Sequence, residues 1–254
     1  MPSPGLYVQG KRMADRVTAA VMIIGDEILS GRTRDSNSHY IAHFLLQIGV
    51  ETREIRVVPD VEDDIVAALN ALRARYDYVF TTGGIGPTHD DITADAVARA
   101  FGVEISEDPR AIALLLEQIK PEDLNEARRR MARIPHGAAL VANPISKAPG
   151  FWIGNVIVMA GVPAIMQAML DDVAPKLAQG AIILSETIDA PGLPEGAYAG
   201  GLANLAKAFP QVSIGSYPSL RDGKFHNQII LRGRDGTMLA EAAAKVRAML
   251  DGVA

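Results

Sequence analysis

The sequence contains no cysteine. Disulfide staples and thiolate metal centres are therefore excluded, and a reducing compartment, the cytoplasm, is the expected setting. No apolar run approaches the roughly 20 residues that a membrane-spanning helix needs. Residues 1–17 carry Lys11, Arg12 and Arg16 without an apolar core, so they do not form a secretory signal. Their Pro and Gly content predicts a flexible tail, with Met13 as a second candidate start. The net charge is −5, an overall balance that selects neither nucleic acid nor a membrane as partner. Several catalytic signatures are missing too. There is no G-x-S-x-G elbow. His39 and His43 have metal-site spacing but lack the Glu of H-E-x-x-H, and they flank an apolar stripe as ordinary helix residues do. His136 and His226 are isolated. No internal repeat or low-complexity segment is present.

What is present is 254 residues with a 48% hydrophobic content, enough for one medium and one small domain with ordinary cores. Residues 18–24 form an apolar run that predicts a buried strand. A loop bounded by Gly25 and Gly31 follows. A helix capped by Asp35 or Ser36 then runs to about Ile48, with Tyr40, Ile41, Phe44, Leu45 and Ile48 on its buried face. Residues 50–58 predict a strand, 61–72 a helix and 77–81 a third strand. Strand and helix in alternation predict a mostly parallel sheet with helices on both faces, a three-layer α/β sandwich. In such sheets ligands bind beyond the carboxyl ends of the strands. The loops at 25–35, 59–60 and 82–91 would converge there, and all three carry carboxylates.

Further along, residues 109–133 predict two polar helices broken near Pro121. Arg128, Arg129, Arg130 and Arg133 form a basic run on them, read as a solvated face, with a basic lip for an anionic substrate as the alternative. Residues 138–142 and 151–160 predict strands, and 165–177 a helix. Beyond about Gly180 the pattern changes to strands at 181–188, 212–217 and 225–231 and helices at 199–209 and 237–250, with a hairpin signal at Arg221-Asp222-Gly223-Lys224. The expected organisation is a tail at 1–17, an α/β domain at 18–179 and a small α+β module at 180–254.

The segment richest in chemistry is Thr82-Gly83-Gly84-Ile85-Gly86-Pro87-Thr88-His89-Asp90-Asp91-Ile92-Thr93. It lies between a strand and a helix. It is not a Walker A loop, because no Gly-Lys-Ser/Thr follows, and His89 stands where a dinucleotide fingerprint has its third glycine. Glycines let backbone N–H groups approach an anion closely, whereas Asp90 and Asp91 repel one unless a cation mediates. A helix cap would account for one Asp but not for two. The combination points to a phosphate-containing ligand handled with a metal. Asp60, Asp90 and Asp91 are oxygen donors of the kind hard cations prefer, and one of them could orient an attacking water. Asp26 and Glu27 lie in the first loop. Asp60 also stands where a helix cap is expected.

This segment resembles the signature of the molybdopterin-binding (MoaB/Mog-like) family, T-G-G-x-G followed by D-x-T. Pro87 and the double Asp make it more similar to the amino-terminal domain of competence/damage-inducible protein A, CinA. Three further segments agree. Residues 25–31 with Asn37 resemble G-x-E-L/I-L-x-G and a following Asn. Residues 143–151 resemble N-P-x-G-x-A-P-G-F, and 159–166 resemble L-P-G-P-P-x-E-M. The chain departs from these patterns at Ser146, Lys147, Ala160 and Val162, and at Ile165, where the pattern has Glu. The module after residue 180, with Ser216-Tyr217-Pro218-Ser219, is similar to the segment that follows this domain in eukaryotic FAD synthases. The carboxy-terminal amidase domain of full-length CinA has no counterpart here.

The resemblance implies a pocket for a nucleotide or pterin phosphate. Thr82, Gly83, Gly84, Gly86, Thr88 and Thr93 would bind phosphate, with Asn37, Asn143, Gly161 and Pro163 around the ligand. Asp60, Asp90 and Asp91 would be catalytic and, with Glu27, would hold a divalent Mg²⁺ or Co²⁺. The implied activity is metal-dependent hydrolysis of a nucleotide pyrophosphate such as ADP-ribose or FAD. Molybdopterin binding or adenylylation in molybdenum cofactor synthesis is the alternative, and a non-catalytic nucleotide sensor, which Ile165 would suit, is the second. Family members assemble as dimers or trimers, so a homo-oligomer is expected.

Overall fold

The computed structural model describes residues 7–8, 11–12, 16–221 and 223–253. Most of the expected tail, Met13 included, and Asp222 of the expected hairpin turn lie outside the described residues. Within the tail, β1 (Tyr7–Val8) and β2 (Lys11–Arg12) pair antiparallel. The chain divides into two compact units between Gly180 and Ala181.

The first unit begins with β3 (Val17–Ile24), nearly all of it buried. Then come α1 (Asp26–Leu29), α2 (Asn37–Gln47), β4 (Val50–Val58), α3 (Glu62–Arg73), β5 (Tyr78–Thr82) and α4 (Thr93–Phe101). A short stretch follows with β6 (Ile105–Glu107), α5 (Pro109–Leu116), α6 (Glu126–Arg130) and β7 (Arg133–Pro135). The unit is completed by β8 (Ala139–Val141), β9 (Gly150–Ile153), β10 (Val156–Met159) and α7 (Pro163–Val173). The sheet order is β4-β3-β5-β10-β9-β8. β4, β3, β5 and β10 run parallel, and β9 is antiparallel to both its neighbours.

The apolar run of β3 is continuous because helices cover both faces of a parallel sheet. Its alternate side chains feed two cores. Met22 and Ile24 pack with Ile65, Leu69, Val97 and Leu115 of α3, α4 and α5. Val21 and Ile23 pack with Ile41, Leu45, Met166 and Leu170 of α2 and α7. These are the three expected layers. From β3 the chain crosses to β4 on one side, and from β5 it continues to β10 on the other. The crevice between the carboxyl ends of β3 and β5 is thus the topological switch point, where open α/β sheets bind ligands.

Two expectations are corrected. Residues 151–160 are not one strand but the hairpin β9–β10, turning at Gly154, whose φ of 56° suits a glycine. Both faces are buried, so the apolar run conceals the turn. Residues 109–130 hold the two expected helices, α5 and α6, parted at Pro121, but the second ends before residue 133. β6 and β7 pair antiparallel around them, which puts Arg133 on a strand rather than on the helix that carries Arg128–Arg130.

The second unit comprises β11 (Leu184–Pro191), α8 (Glu195–Ala208), β12 (Ser213–Tyr217), β13 (Leu220–Arg221), β14 (Lys224–Gly233) and α9 (Gly236–Asp251). The strands are antiparallel in the order β11-β14-β12, with β13 on β14. Ile188, Tyr198, Ile229, Leu231, Leu239 and Val246 form its core. Asn227, 1% exposed, donates to Tyr198 Oη at 3.1 Å, so the polar atoms buried there are paired. No described helix is long and apolar enough to cross a membrane.

Candidate functional site

The loops after β3, β4, β5 and β10 enclose a cleft of about 410 Å³. Its lining joins Gly25 and Glu27, Asp60, residues 83–87 with Asp90 and Asp91, and residues 160–162 with Ile165. Asn143, Ser146 and Ala148 close it from the loop before β9, and Met131 from the end of α6. Carboxylates occupy one part of the lining, and Ile24, Ile85, Met131, Val162 and Ile165 make an apolar wall. No Lys or Arg is among the lining residues.

The glycines are required by packing as much as by any ligand. Gly83 has φ 103°, and a Cβ there would lie 2.1 Å from the Ile24 carbonyl oxygen. Its N–H donates to Met159 O at 3.3 Å. Gly83 thus knits the ends of β3, β5 and β10 together and has no N–H left for phosphate, contrary to the sequence expectation. Gly84, with φ 66°, lies where a Cβ would meet Thr93 Oγ1 at 2.2 Å. The N–H groups of Gly84, Ile85 and Gly86 have no acceptor among the described residues. Consecutive unused N–H groups of this kind can cradle an anion.

The flanking Thr and Asp residues hold the loop in shape. Thr93, fully buried, donates through Oγ1 to Gly83 O at 2.9 Å and through its N–H to Gly84 O at 3.0 Å. Asp91 Oδ2 accepts the Thr88 N–H at 2.8 Å and the Thr88 hydroxyl at 2.6 Å. Thr88 and Thr93 are therefore braces rather than phosphate ligands. Thr82, 1% exposed, lines a smaller cavity of about 80 Å³ with Asn37, on the α2 side of Gly83 and Gly161. Asn37 Nδ2 donates to Gly161 O at 2.7 Å, tying the first loop to the last. Its own helix is capped by Asp35, whose Oδ1 accepts the N–H groups of Asn37 and Ser38. Asn143 uses Nδ2 on Ser146 Oγ and Ala148 O, and Oδ1 on the N–H groups of Ile145 and Ser146. It organises its loop and has no capacity left for a ligand. Pro163 opens α7 at its first position.

Asp60 Oδ2 accepts the Asp26 N–H at 2.9 Å. Burial holds its carboxyl above the usual Asp range, and the charges of Asp26, Glu27 and Asp90 add to this. Asp90 lies below that range: the Thr88 hydroxyl stands beside it, although its proton goes to Asp91, and the Asp90 N–H and the charges of His89 and Arg130 favour the carboxylate. Glu27, Asp60, Asp90 and Asp91 share the cleft, yet no three described His, Asp or Glu side chains are grouped to hold a metal unaided. The expected four-carboxylate metal site is not preformed. The four carboxylates come from three loops, and Asp60 and Asp91 each have an oxygen engaged within the chain. Ile165 faces the cleft in the first turn of α7, so the position that carries Glu in the resembled pattern is here apolar wall. Sequence reasoning missed Met131, and it read Arg130, whose Nη2 donates to Asp91 O at 3.1 Å, as part of a solvated face with a basic lip as the alternative. Met131, just past the end of α6, carries no chemical signal in the sequence.

A family profile described as a probable molybdopterin-binding domain matches residues 20–179. The chain belongs to this family. Within the molybdopterin-binding family it falls in the CinA-like branch. It is 42% identical over 165 residues to a CinA-like protein of Citrifermentans bemidjiense, covering 62% of this chain and 40% of that protein. A crystal structure of the protein CinA, of unknown function, from Thermoplasma acidophilum superposes with a TM-score of 0.61 at 34% identity, over 64% of this chain and 99% of that one. A second profile, the FAD synthase middle domain, matches residues 183–254. Both units are found in a probable FAD synthase of Caenorhabditis elegans, 31% identical over 95% of this chain. The chain spans about half (51%) of that protein's length.

Proposed function

We propose that the first unit hydrolyses the pyrophosphate bond of a nucleotide, with ADP-ribose and FAD-like molecules as the substrate class and Mg²⁺ or Co²⁺ as the cation. The observation that carries this reading is the make-up of the cleft. Unused N–H groups at Gly84–Gly86 stand beside four carboxylates, with no basic side chain in the lining. A bare pyrophosphate would be repelled there, whereas one that brings its own cation would not. Mg²⁺ usually binds through one or two carboxylates, with phosphate oxygens and waters completing its shell. The donor set fits an ion of that kind and not a resident metal centre. One or two of Glu27, Asp60 and Asp90 would hold it beside the phosphate oxygens, and it would neutralise phosphate charge and acidify a bound water.

The chain's own groups do the rest. Gly84–Gly86 N–H groups receive phosphoryl oxygens and stabilise the charge that develops as water adds. The apolar wall at Ile85, Met131 and Ile165 receives a flat ring. Asp91 retains Oδ1, the oxygen that Thr88 does not use, to orient the attacking water and accept its proton. The products from ADP-ribose are AMP and ribose 5-phosphate. The test is incubation of the full chain with ADP-ribose, FAD or NAD(H), with Mg²⁺ or Co²⁺ and with chelator. AMP released only with the cation is expected. No AMP from any of them overturns hydrolysis, and tight binding of molybdopterin without turnover would replace it with the pterin reading.

A further inference from the structure

Two of the four arginines of the basic run pair with carboxylates and two with backbone carbonyls, and one of the latter keeps a buried donor unpaired. Arg128 donates to Asp123 O at 2.6 Å, Arg129 pairs with Glu107 at 3.0 Å, and Arg133 grips Asp95 with two bonds. Arg130 has no carboxylate partner among the described residues. It gives one bond, from Nη2 to the Asp91 backbone carbonyl, and its Nε is buried with no acceptor. A buried donor left unpaired is costly and is rare in folded proteins, so the missing acceptor calls for an explanation.

The surroundings supply one. A recess of about 10 Å³ lies between Arg130 and the glycine loop, lined by Gly84, Ile85, Gly86 and Asp91. The same four residues line the large cleft, so the recess is its side chamber, with room for about one oxygen-sized atom. An anion seated on the Gly84–Gly86 N–H groups from the cleft side would present an oxygen to this chamber. A guanidinium is charged at all working pH values and matches phosphate geometry through adjacent donors.

We propose that Arg130 is a phosphate-binding residue, completing from behind the cradle that Gly84–Gly86 form in front. The proposal rests on the phosphate reading of the loop but not on hydrolysis. It gives the cleft the single cationic side chain its lining lacks, and places it where the loop geometry, through Asp91 O, registers its position.

The test measures binding of inorganic pyrophosphate with Mg²⁺, and of adenosine, by titration calorimetry on the full chain. Arg130→Met should weaken pyrophosphate binding roughly 10- to 100-fold and leave adenosine unchanged. Arg130→Lys should recover part of the loss, since it restores the charge but not Nε. Arg130→Gln keeps a donor for Asp91 O. It should fall with Arg130→Met on pyrophosphate, and it serves if Arg130→Met fails to fold. If Arg130 only props the loop, both ligands weaken together and Arg130→Gln behaves as wild type, which overturns the proposal. Unchanged pyrophosphate binding in Arg130→Met overturns it as well and leaves the loop reading standing. Failure of the wild type to bind pyrophosphate overturns both.

Discussion

Asp91 carries two tasks on its two oxygens, and substitution can separate them. Oδ2 accepts both Thr88 bonds, at 2.8 and 2.6 Å, and Oδ1 is left for the cleft. In Asp91→Asn the amide oxygen can take the Oδ2 position, so both bonds survive as neutral ones, about half as strong. In Asp91→Ala both are lost. Hydrogen bonds to a charged group are worth about 1.5–3 kcal/mol each, and at this half-exposed site the lower end applies. The loop brace should therefore lose about 1 kcal/mol in Asp91→Asn and about 2–3 kcal/mol in Asp91→Ala. A loop can open without the domain unfolding, so the melting temperature under-reports this loss. Hydrogen exchange at the Thr88 amide reads it directly, by a rate ratio of about 5-fold for Asn and 30-fold or more for Ala. Turnover should behave differently. Both variants lack the anionic oxygen that accepts the water's proton, and both should lose about 10²-fold or more in AMP release. Near-normal turnover in Asp91→Asn would reduce Asp91 to a brace. Unchanged Thr88 exchange in Asp91→Ala would show that the brace is not where we place it.

Two further predictions concern stability. Gly83→Ala should destabilise the first unit by about 3 kcal/mol or more, because it adds a left-handed-side backbone strain to a clash with the Ile24 backbone that no rotamer relieves. Gly102→Ala, at φ 66° with open space around it, is the control and should cost about 1 kcal/mol; thermal melts that rank the two alike would refute the packing argument. The Asp108 carboxyl, which caps α5, is held below its usual range chiefly by Arg110. A lowered folded-state pKa adds stability above the unfolded value of about 3.9, and that stability is lost as pH falls through the folded value. Asp108→Asn keeps the cap and removes the charge, so its melting temperature should fall below wild type at pH 6 and converge with it as pH falls through the lowered folded-state value; a gap that persists once the carboxyl is protonated would contradict this.

The fold was legible wherever a period matched an element. The continuous apolar run of β3, the helical stripe of Ile41 and Leu45, and the alternation along β4 each led to the observed structure, and strand–helix alternation placed the acidic loops on one sheet edge. The β9–β10 hairpin was not legible. Residues 150–159 are buried on both faces, so the only mark of the turn is Gly154-Asn155 inside an apolar run. The site was legible as a set of positions and less so as a set of roles. Thr88, Thr93 and Asn143 are where a ligand-binding motif would have them, but their polar groups are engaged by neighbours in the same loops. Sequence offers no sign of that, because partners such as Gly83 O or Ala148 O are backbone atoms present at every residue. Arg130 is marked out for the converse reason. Sequence offers the basic run only as a solvated face or a basic lip, and only the fold shows that Arg130 alone among its arginines keeps a buried donor without an acceptor.

What remains for a ligand lies beside these engaged groups. The T-G-G-x-G and D-x-T segments look like a binding motif read residue by residue, yet Thr93, Asp91 Oδ2 and the Gly83 N–H are all engaged internally. They hold the chain in a shape that leaves three successive N–H groups, the second oxygen of Asp91 and the Arg130 Nε without partners at one place. A donor that is unpaired in a loop exposed to water is unremarked, since water satisfies it. A donor that is unpaired and buried, as Arg130 Nε is, is not satisfied so cheaply, and Arg130 lines the chamber behind the glycine loop. A loop selected only to turn the chain would gain by closing that chamber with a larger residue at Gly84 or Gly86. A Cβ at either position would meet one of the groups that brace the loop open, Thr93 Oγ1 at Gly84 and Asp91 Oδ2 at Gly86. The braces and the vacancy are thus one device, and an oxyanion is the ligand whose chemistry matches donors on both of its sides.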